Sequence, residues 1–441
     1  MNIFNELVIR DTSERIEIRG GRVIDPAHGV DRTASVFIAD GRIVATEHRP
    51  SGWQADRIID ATGLVVAPGL VDLAVRLREP GLEYKATLDS EVAAAVAGGV
   101  TSLACPPDTD PPLDEPGLVE MLKHRARSLN QANVYPVGAL TVGLAGEKLT
   151  EMGELAEAGC VAFSHAERPL VDTQVLHRAL QYAATFGHRV WLRPEDPHLA
   201  RLGVAHDGEV ATRLGLPAIP VSAEAVALST IFHLVRDTGA RVHLCRLSSA
   251  QGVEMVRRAK QEGLSITCDV AVHHLHLSDV DIGWFDTRYR LTPPLRSTRD
   301  RAALRAGVED GTIDVVCSDH TPVDDDGKQV PFGEAEPGAT AVELLLPLVL
   351  SWAERDAVGL PEALARVTAR AAEVIGIDAG HLGAGAPADV CVFAPGAHWT
   401  VSARTLRSQS TNTPYLGREV LGQVRYTLVN GRVVYERTAE R

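Results

Sequence analysis

Basic residues are in short supply in this chain. Lys and Arg number 44 against 58 Asp and Glu among 441 residues, a net charge of -14. That balance leaves no broad cationic surface for a phosphate backbone, so nucleic acid is excluded as an expected partner. Long hydrophobic runs are missing too. The longest, AVELLLPLVL at 341–350, is too short to span a bilayer and is broken by Glu343 and Pro347. The opening stretch MNIFNELVIRDTSERIEIRG lacks the basic segment and apolar core of a secretory signal, so a cytoplasmic protein without a membrane partner is expected. Cysteine is sparse: Cys105, Cys160, Cys245, Cys268, Cys317 and Cys391 are far apart, each in or beside a short apolar run. No C-x-x-C pair or dense spacing points to a zinc ribbon, a redox centre or a disulfide framework, and small buried thiols are the expectation.

What is present is alternation. Residues 1–66 carry RIEIRGGRVID, ASVFIADGRIVA and RIIDATGLVVAPG, short alternating runs punctuated by Gly, Asp and Asn. The tail, 385–441, repeats the style in GAPADVCVFAP and in VRYTLVNGRVVYE, whose N-G pair marks a hairpin. These ends predict one discontinuous β-sandwich domain. Between them, over 67–384, eight apolar runs alternate with helix-like segments: 70–77, 100–105, 134–140, 160–164, 189–193, 241–247, 265–270 and 313–318. GLVEMLKHRARSL and SSAQGVEMVRRAKQEG have the apolar spacing of helices packed outside a sheet. An α/β fold of the (β/α)8 TIM barrel type follows, and in such a barrel the chemistry sits where strands end and loops begin.

Several motifs at those strand ends occur in a familiar order: APGLVDLAVRLREPGLEYK, AGGVTSLACPPDTDPPLD, GALTVGLAGEKLTEMGEL, TRLGLPAIP, LTPPLR, SDHTP and NTPYLGREVLGQV. Together they resemble a type I dihydroorotase of the amidohydrolase superfamily, over nearly the whole chain. The resemblance implies a zinc-bearing barrel with a flanking β-sandwich that opens and closes the dihydroorotate ring in pyrimidine biosynthesis. In that chemistry the metal acidifies a water and polarises an amide carbonyl.

At the ligand positions this sequence departs from the family pattern. Ala74 and Arg76 stand in place of H-x-H on the first strand, His165 in place of the first aspartate of F-S-D-D-G on the fourth, Arg193 for the histidine of H-C-E-D on the fifth, and Arg246 for that of C-H-x-S on the sixth. Five of six positions have changed; Asp319 in SDHTP is the sixth. Alanine has no lone pair and arginine stays protonated, so neither coordinates a cation. Of the family's substrate-recognition positions Arg78 is kept, whereas Asp108, Thr292 and Val323 replace asparagine, asparagine and histidine. Asp108 would repel the substrate carboxylate that Arg78 grips in the family.

The expectation is therefore a vestigial pocket without catalytic residues, metal or cofactor, in which Arg76, Arg193 and Arg246 pair with Asp319, Asp108 or Glu195. The resemblance implies an inactive dihydroorotase homologue of the sort that accompanies aspartate transcarbamoylase in some bacteria and supports its assembly into an oligomeric complex. Two alternatives stand beside it: a cyclic-amide hydrolase with altered or residual activity, and a small-anion-binding protein whose site is Arg76, Arg78, Arg193 and Arg246. His273, His274 and His276 in AVHHLHLSD invite a metal reading, but adjacent and alternate positions diverge on a strand. His165 with His320 would be an acid–base pair for metal-free chemistry. The run DDD at 324–326 reads as a solvated loop.

Overall fold

A computed structural model describes residues 14–437. The first thirteen residues, which bear on the reading of the leader, and residues 438–441 of the tail lie outside it. Eight parallel strands form the barrel in sequence order: Leu70–Asp72, Val100–Cys105, Asn133–Ala139, Ala162–Ser164, Arg189–Leu192, Arg241–Leu244, Ile266–Ala271 and Val315–Cys317. Each of the eight apolar runs of the sequence overlaps one of them. The first and eighth strands meet through a parallel bridge between Val75 and His320 and through the Ser318 amide, which donates to Asp72 Oδ1 at 3.0 Å.

Amphipathic helices cover the outside, among them Pro116–Leu129 and Ala250–Gln261, the segments whose apolar spacing predicted them. Thr87 starts the first helix, Leu88–Ala97, with a capping box to Ser90. The run at 341–350 enters helix Leu345–Arg355, with Trp352 wholly buried under it. Inside the barrel, Val71, Leu73, Ala104, Val137, Trp191, Cys245, Val315 and Cys317 pack into one apolar column. Helix Ala369–Ile375 closes its base with Ala371, Ala372, Val374 and Ile375. All six cysteines are free and buried.

Strands from both chain ends join in one hydrogen-bonded sheet ordered 432–436, 419–429, 390–400, 65–68, 16–25, 30–39 and 42–46, with 57–60 pairing against 16–25. It has its own core of Ile16, Ile18, Val36, Ile38, Ile43, Val390, Val392 and Leu428. The N-G turn closes the hairpin between its last two strands with both residues left-handed, Asn430 at φ 49° and Gly431 at φ 76°. Among the described residues no helix is long and apolar enough to cross a membrane.

Asp72 is completely buried, and its Oδ2 has no hydrogen-bond partner among the described residues. Burial pushes its carboxyl up to about 6, against hydrogen bonds from Ser318 and Ala74 that pull the other way. A raised carboxyl means the folded chain holds a proton the unfolded chain has released, so this residue weakens the fold as pH rises from 3.8 to about 6. Asp72→Asn keeps an acceptor for the Ser318 amide and removes the buried charge. It should match or exceed the wild type at pH 8, by up to about 2 kcal/mol, and lose that advantage at pH 4, whereas Asp72→Ala should be less stable at both. Chemical denaturation at the two pH values measures this.

Candidate functional site

The barrel mouth is organised by a residue the sequence reading did not single out. Glu167, two residues past His165 in the loop after the fourth strand, puts its carboxylate among three guanidinium groups. Arg76 Nη2 donates to its Oε1 at 2.7 Å and Arg246 Nη2 to the same oxygen at 2.8 Å. Arg193 Nε lies 2.7 Å from Oε2, and Arg193 Nη2 donates to the Glu167 carbonyl at 3.0 Å. The three arginines come from the ends of the first, fifth and sixth strands, which is why residues so distant in sequence converge.

Further acids complete the network. Arg76 Nε donates to Asp108 at 2.7 Å, and Arg193 forms a two-pronged pair with Glu195, both bonds at 2.7 Å. Asp319 stands further off, 3.4 Å from Arg76 Nη1 and 3.5 Å from Arg246 Nε. Arg76 and Arg246 are about one-twentieth exposed. Burial would disfavour their charges, but Glu167 and Asp319, with Asp108 on Arg76, more than offset it and hold both protonated. Burial also pushes the Glu167 carboxyl upward, and the pull of Arg246, Arg193 and Arg76 overcomes it, setting the carboxyl at about 2. For Asp319 burial wins over Arg246 and Arg76, with Glu167 adding repulsion, and its carboxyl is pushed up to about 7.

Backbone strain marks the same place. Arg78, Arg246 and Asp319 all lie in the left-handed region, at φ 61°, 57° and 50°. Such conformations cost on the order of 1 kcal/mol each in residues with a Cβ and persist where surrounding bonds fix them. The Arg246 amide donates to Asp269 Oδ1 at 2.6 Å, and Arg78 Nε to the Pro322 carbonyl at 2.9 Å.

Other residues flagged from sequence lie apart from the knot. Ala74 is buried, and its carbonyl accepts from the His320 amide. His165 has both ring nitrogens engaged, one at 2.9 Å from Thr141 Oγ1 and one at 2.7 Å from the Arg168 carbonyl. His320 Nδ1 accepts from the amides of Ala341 and Val342, so its Nε2 carries the hydrogen that goes to Glu91 at 2.6 Å. The two histidines therefore serve separate structural contacts and do not form an acid–base pair. Val323 is buried and offers its carbonyl to Ser410; Thr292 is partly buried beside Pro293.

His273, His274 and His276 lie on a short helix, Val272–His276, and not on a strand as the sequence reading assumed. His273 stacks on Tyr415, His274 meets the Pro294 carbonyl and His276 the Leu348 carbonyl. The three side chains diverge, and burial pushes their pKa values down to about 3, 4 and 3.

The donor set does not fit the zinc of the dihydroorotase mechanism. Three guanidinium groups and an alanine stand where lone pairs are required, and His165 is committed elsewhere. Among the described residues, one His/Cys/Asp/Glu group has its donor atoms close enough together for a metal: His243, Cys245 and Asp269, a layer deeper in the barrel. His243 already bonds Asp269 at 2.9 Å and Thr267 at 2.8 Å through its two nitrogens.

A dihydro-orotase-like family model matches residues 63–252, and an amidohydrolase family model matches residues 172–435. Proteins named dihydroorotase-like from Pseudomonas aeruginosa and Pseudomonas putida are 44% and 45% identical, over 96% and 95% of this chain and 99% of their own lengths. A dihydroorotase from Geotalea daltonii is 41% identical over 96% of the chain and 99% of its own length. Among solved structures, the L-hydantoinase of Arthrobacter aurescens superposes with a TM-score of 0.85 at 25% identity, covering 96% of each chain. A D-hydantoinase gives 0.82 at 21%, covering 96% of this chain and 95% of its own, and shares the fold.

Glu167→Gln tests the knot. It keeps the shape but removes the charge that three buried arginines share, and should destabilise the chain by about 3 kcal/mol at pH 7. With the carboxyl lowered from 4.5 to about 2, that contribution is complete above pH 4.5 and is lost as pH falls toward 2. The difference in unfolding free energy between wild type and variant should thus be flat from pH 8 to 5 and shrink below pH 4.5. An unchanged melting temperature at pH 7 would show that the arginines do not need this counter-ion.

Proposed function

Since the chain belongs to the amidohydrolase family, in its dihydroorotase-like branch, we propose that it is a dihydroorotase homologue without ring-opening activity that serves as a structural partner of aspartate transcarbamoylase. The observation that carries the first half is the guanidinium–carboxylate knot of Arg76, Arg193, Arg246 and Glu167 at the mouth of the barrel. Positive charge fixed to side chains can neutralise acids, but it provides no acidified water and no open coordination position for a carbonyl. Asp319, which in the family would take a proton from metal-bound water, stands among these arginines with its own carboxyl pushed up. A carboxyl so placed has no activated nucleophile to serve.

The partner comes from family resemblance, and a physical argument supports a role for the surface. The barrel, its helical shell and the end sheet are complete across the described residues, while the mouth has been rebuilt as an ion-pair network. An interface needs a folded shape and makes no demand on the pocket. The anion-binding alternative is less well supported at the mouth, because Arg76, Arg193 and Arg246 already hold carboxylates.

Two measurements test the reading separately. The purified chain should neither cyclise carbamoyl aspartate nor hydrolyse dihydroorotate above background, with or without added zinc. The double variant Ala74→His, Arg76→His should stay inactive, because Arg193 and Arg246 would still place positive charge where the metal must sit. Turnover by either protein would restore the enzyme reading. Mixed at micromolar concentration and low salt with the transcarbamoylase of the same organism, the chain should co-elute in one complex larger than either component; separate elution would remove the partner.

A further inference from the structure

At the opposite end of the barrel, where the strands begin, lies a second group of arginines. Arg189 and Arg241 open the fifth and sixth strands and are direct register partners, so their side chains leave the sheet edge next to each other. They line a cavity of about 380 Å³ together with Trp191, His243, Ser265 and Arg370 from the helix that closes the base. Its acids are already committed. Asp314 accepts from Lys260 Nζ at 2.6 Å and from the Cys268 amide at 2.8 Å, and Glu373 lies 3.1 Å from Arg370.

The two strand arginines have no such counter-ion. Among the described residues the Arg189 guanidinium makes no hydrogen bond or ion pair, and the Arg241 guanidinium reaches only the Gly187 carbonyl. Burial and then the neighbouring Arg241 charge lower the Arg189 guanidinium from its ordinary value, as expected for a cation facing another cation without an acid between them. Trp191 lines the same cavity, is 3% exposed, and among the described residues its Nε1 has no hydrogen-bond acceptor. A buried indole N–H without an acceptor is uncommon. Two adjacent guanidinium groups without a carboxylate partner among the described residues thus meet at one concave site walled by Trp191.

We propose that this basal cavity binds a phosphate group, either as inorganic phosphate or on a small phosphorylated molecule. A tetrahedral oxyanion suits two adjacent guanidinium groups, each offering a fork of N–H donors, and the Ser265 hydroxyl stands on the same rim. The cavity exceeds a bare phosphate ion and falls within the range of small-ligand pockets, which leaves space for an organic portion. The site is independent of the mouth: it uses none of Arg76, Arg193, Arg246 or Glu167.

The test uses the full chain and inorganic phosphate as probe, with ionic strength held constant by sodium chloride. Titration followed by calorimetry and by melting temperature should give saturable binding, with a rise of several degrees at about a hundred times the dissociation constant. Arg189→Gln and Arg241→Gln should each weaken phosphate at least ten-fold. Arg189→Gln should also raise the melting temperature without phosphate, since it relieves the cation pair. Arg258→Gln, at an exposed arginine paired with Glu254 elsewhere, should bind as the wild type does. If a strand variant fails to fold, Arg370→Gln on the exposed helix face reports on the same cavity. Phosphate acting no better than chloride would overturn the proposal, as would undiminished binding by the cavity variants or a stronger response to succinate than to phosphate.

Discussion

One carboxylate holds the mouth of this barrel together. Among the described residues Glu167 is the only acid that Arg76, Arg193 and Arg246 share, and each arginine side chain is nearly withdrawn from solvent. Like charges at such separations in a medium of reduced dielectric repel by several kcal/mol per pair, so the loops after the first, fourth, fifth and sixth strands settle together only around an anion. The remaining acids divide the work: Asp108 takes the outer edge of Arg76, Glu195 the fork of Arg193, and Asp319 the gap between Arg76 and Arg246. The loop bearing Glu167 is therefore tied down by charge as well as by the packing of Ala166 and Leu170, and the left-handed backbone at Arg246 and Asp319 is tolerated because these bonds fix it.

The barrel interior connects this knot to the basal arginines through a graded column. Along the fifth strand the inward positions are Arg189, Trp191 and Arg193; along the sixth they are Arg241, His243 and Cys245, by the period of two that strands impose. The middle layer is mixed: Trp191 tilts against His243 with ring centres 5.3 Å apart, and His243 bonds Asp269, whose other oxygen receives the Arg246 amide. Asp269 is fully buried yet stays ionised more readily than an ordinary aspartate. Burial opposes this, and the hydrogen bond and charge of His243 prevail, with Arg246 adding its own. The chain of contacts explains why so buried a histidine and aspartate are held here: each satisfies the other, and together they fix the backbone turn that aims Arg246 at Glu167.

Much of this fold was legible because burial writes itself into residue order. Parallel strands covered on both faces appear as short apolar runs, and all eight were found with ends displaced by a few residues, as at 70–77, where the strand proper is Leu70–Asp72. The histidine segment shows the limit of periodicity. AVHHLHLSD is too short and too uniformly buried to declare itself helix or strand, and the chain turns helical at Val272. At the mouth, strand-end substitutions point to the arginines, but Glu167 is not a ligand position of the family pattern, which on this strand is position 165. The signal lies in the same stretch: FSHAERP carries an acid two residues past position 165, at a strand end facing the arginines. The basal arginines were hidden for another reason. Read in sequence, Arg189 and Arg241 are simply the first letters of RVWLR and RVHLC, and only the strand register places them side by side.

On the proposed reading, the mouth has changed what supplies its positive charge while keeping the sign. A metal ion is a compact charge with positions open to water and substrate; a guanidinium is a tethered, planar charge whose donors point outward in a fixed fork. The exchange preserves a favourable environment for carboxylates, so the surrounding acids need not be removed for the barrel to fold. It also closes the site, because once Glu167 lies across three forks an incoming anion must displace an internal ligand held there by the chain itself. Such a barrel can lose its chemistry without losing its shape, and it is the shape that an assembly partner requires. Reversal would demand simultaneous replacement at several strand ends, since a single histidine restored beside two remaining arginines would be asked to bind a cation against their charge.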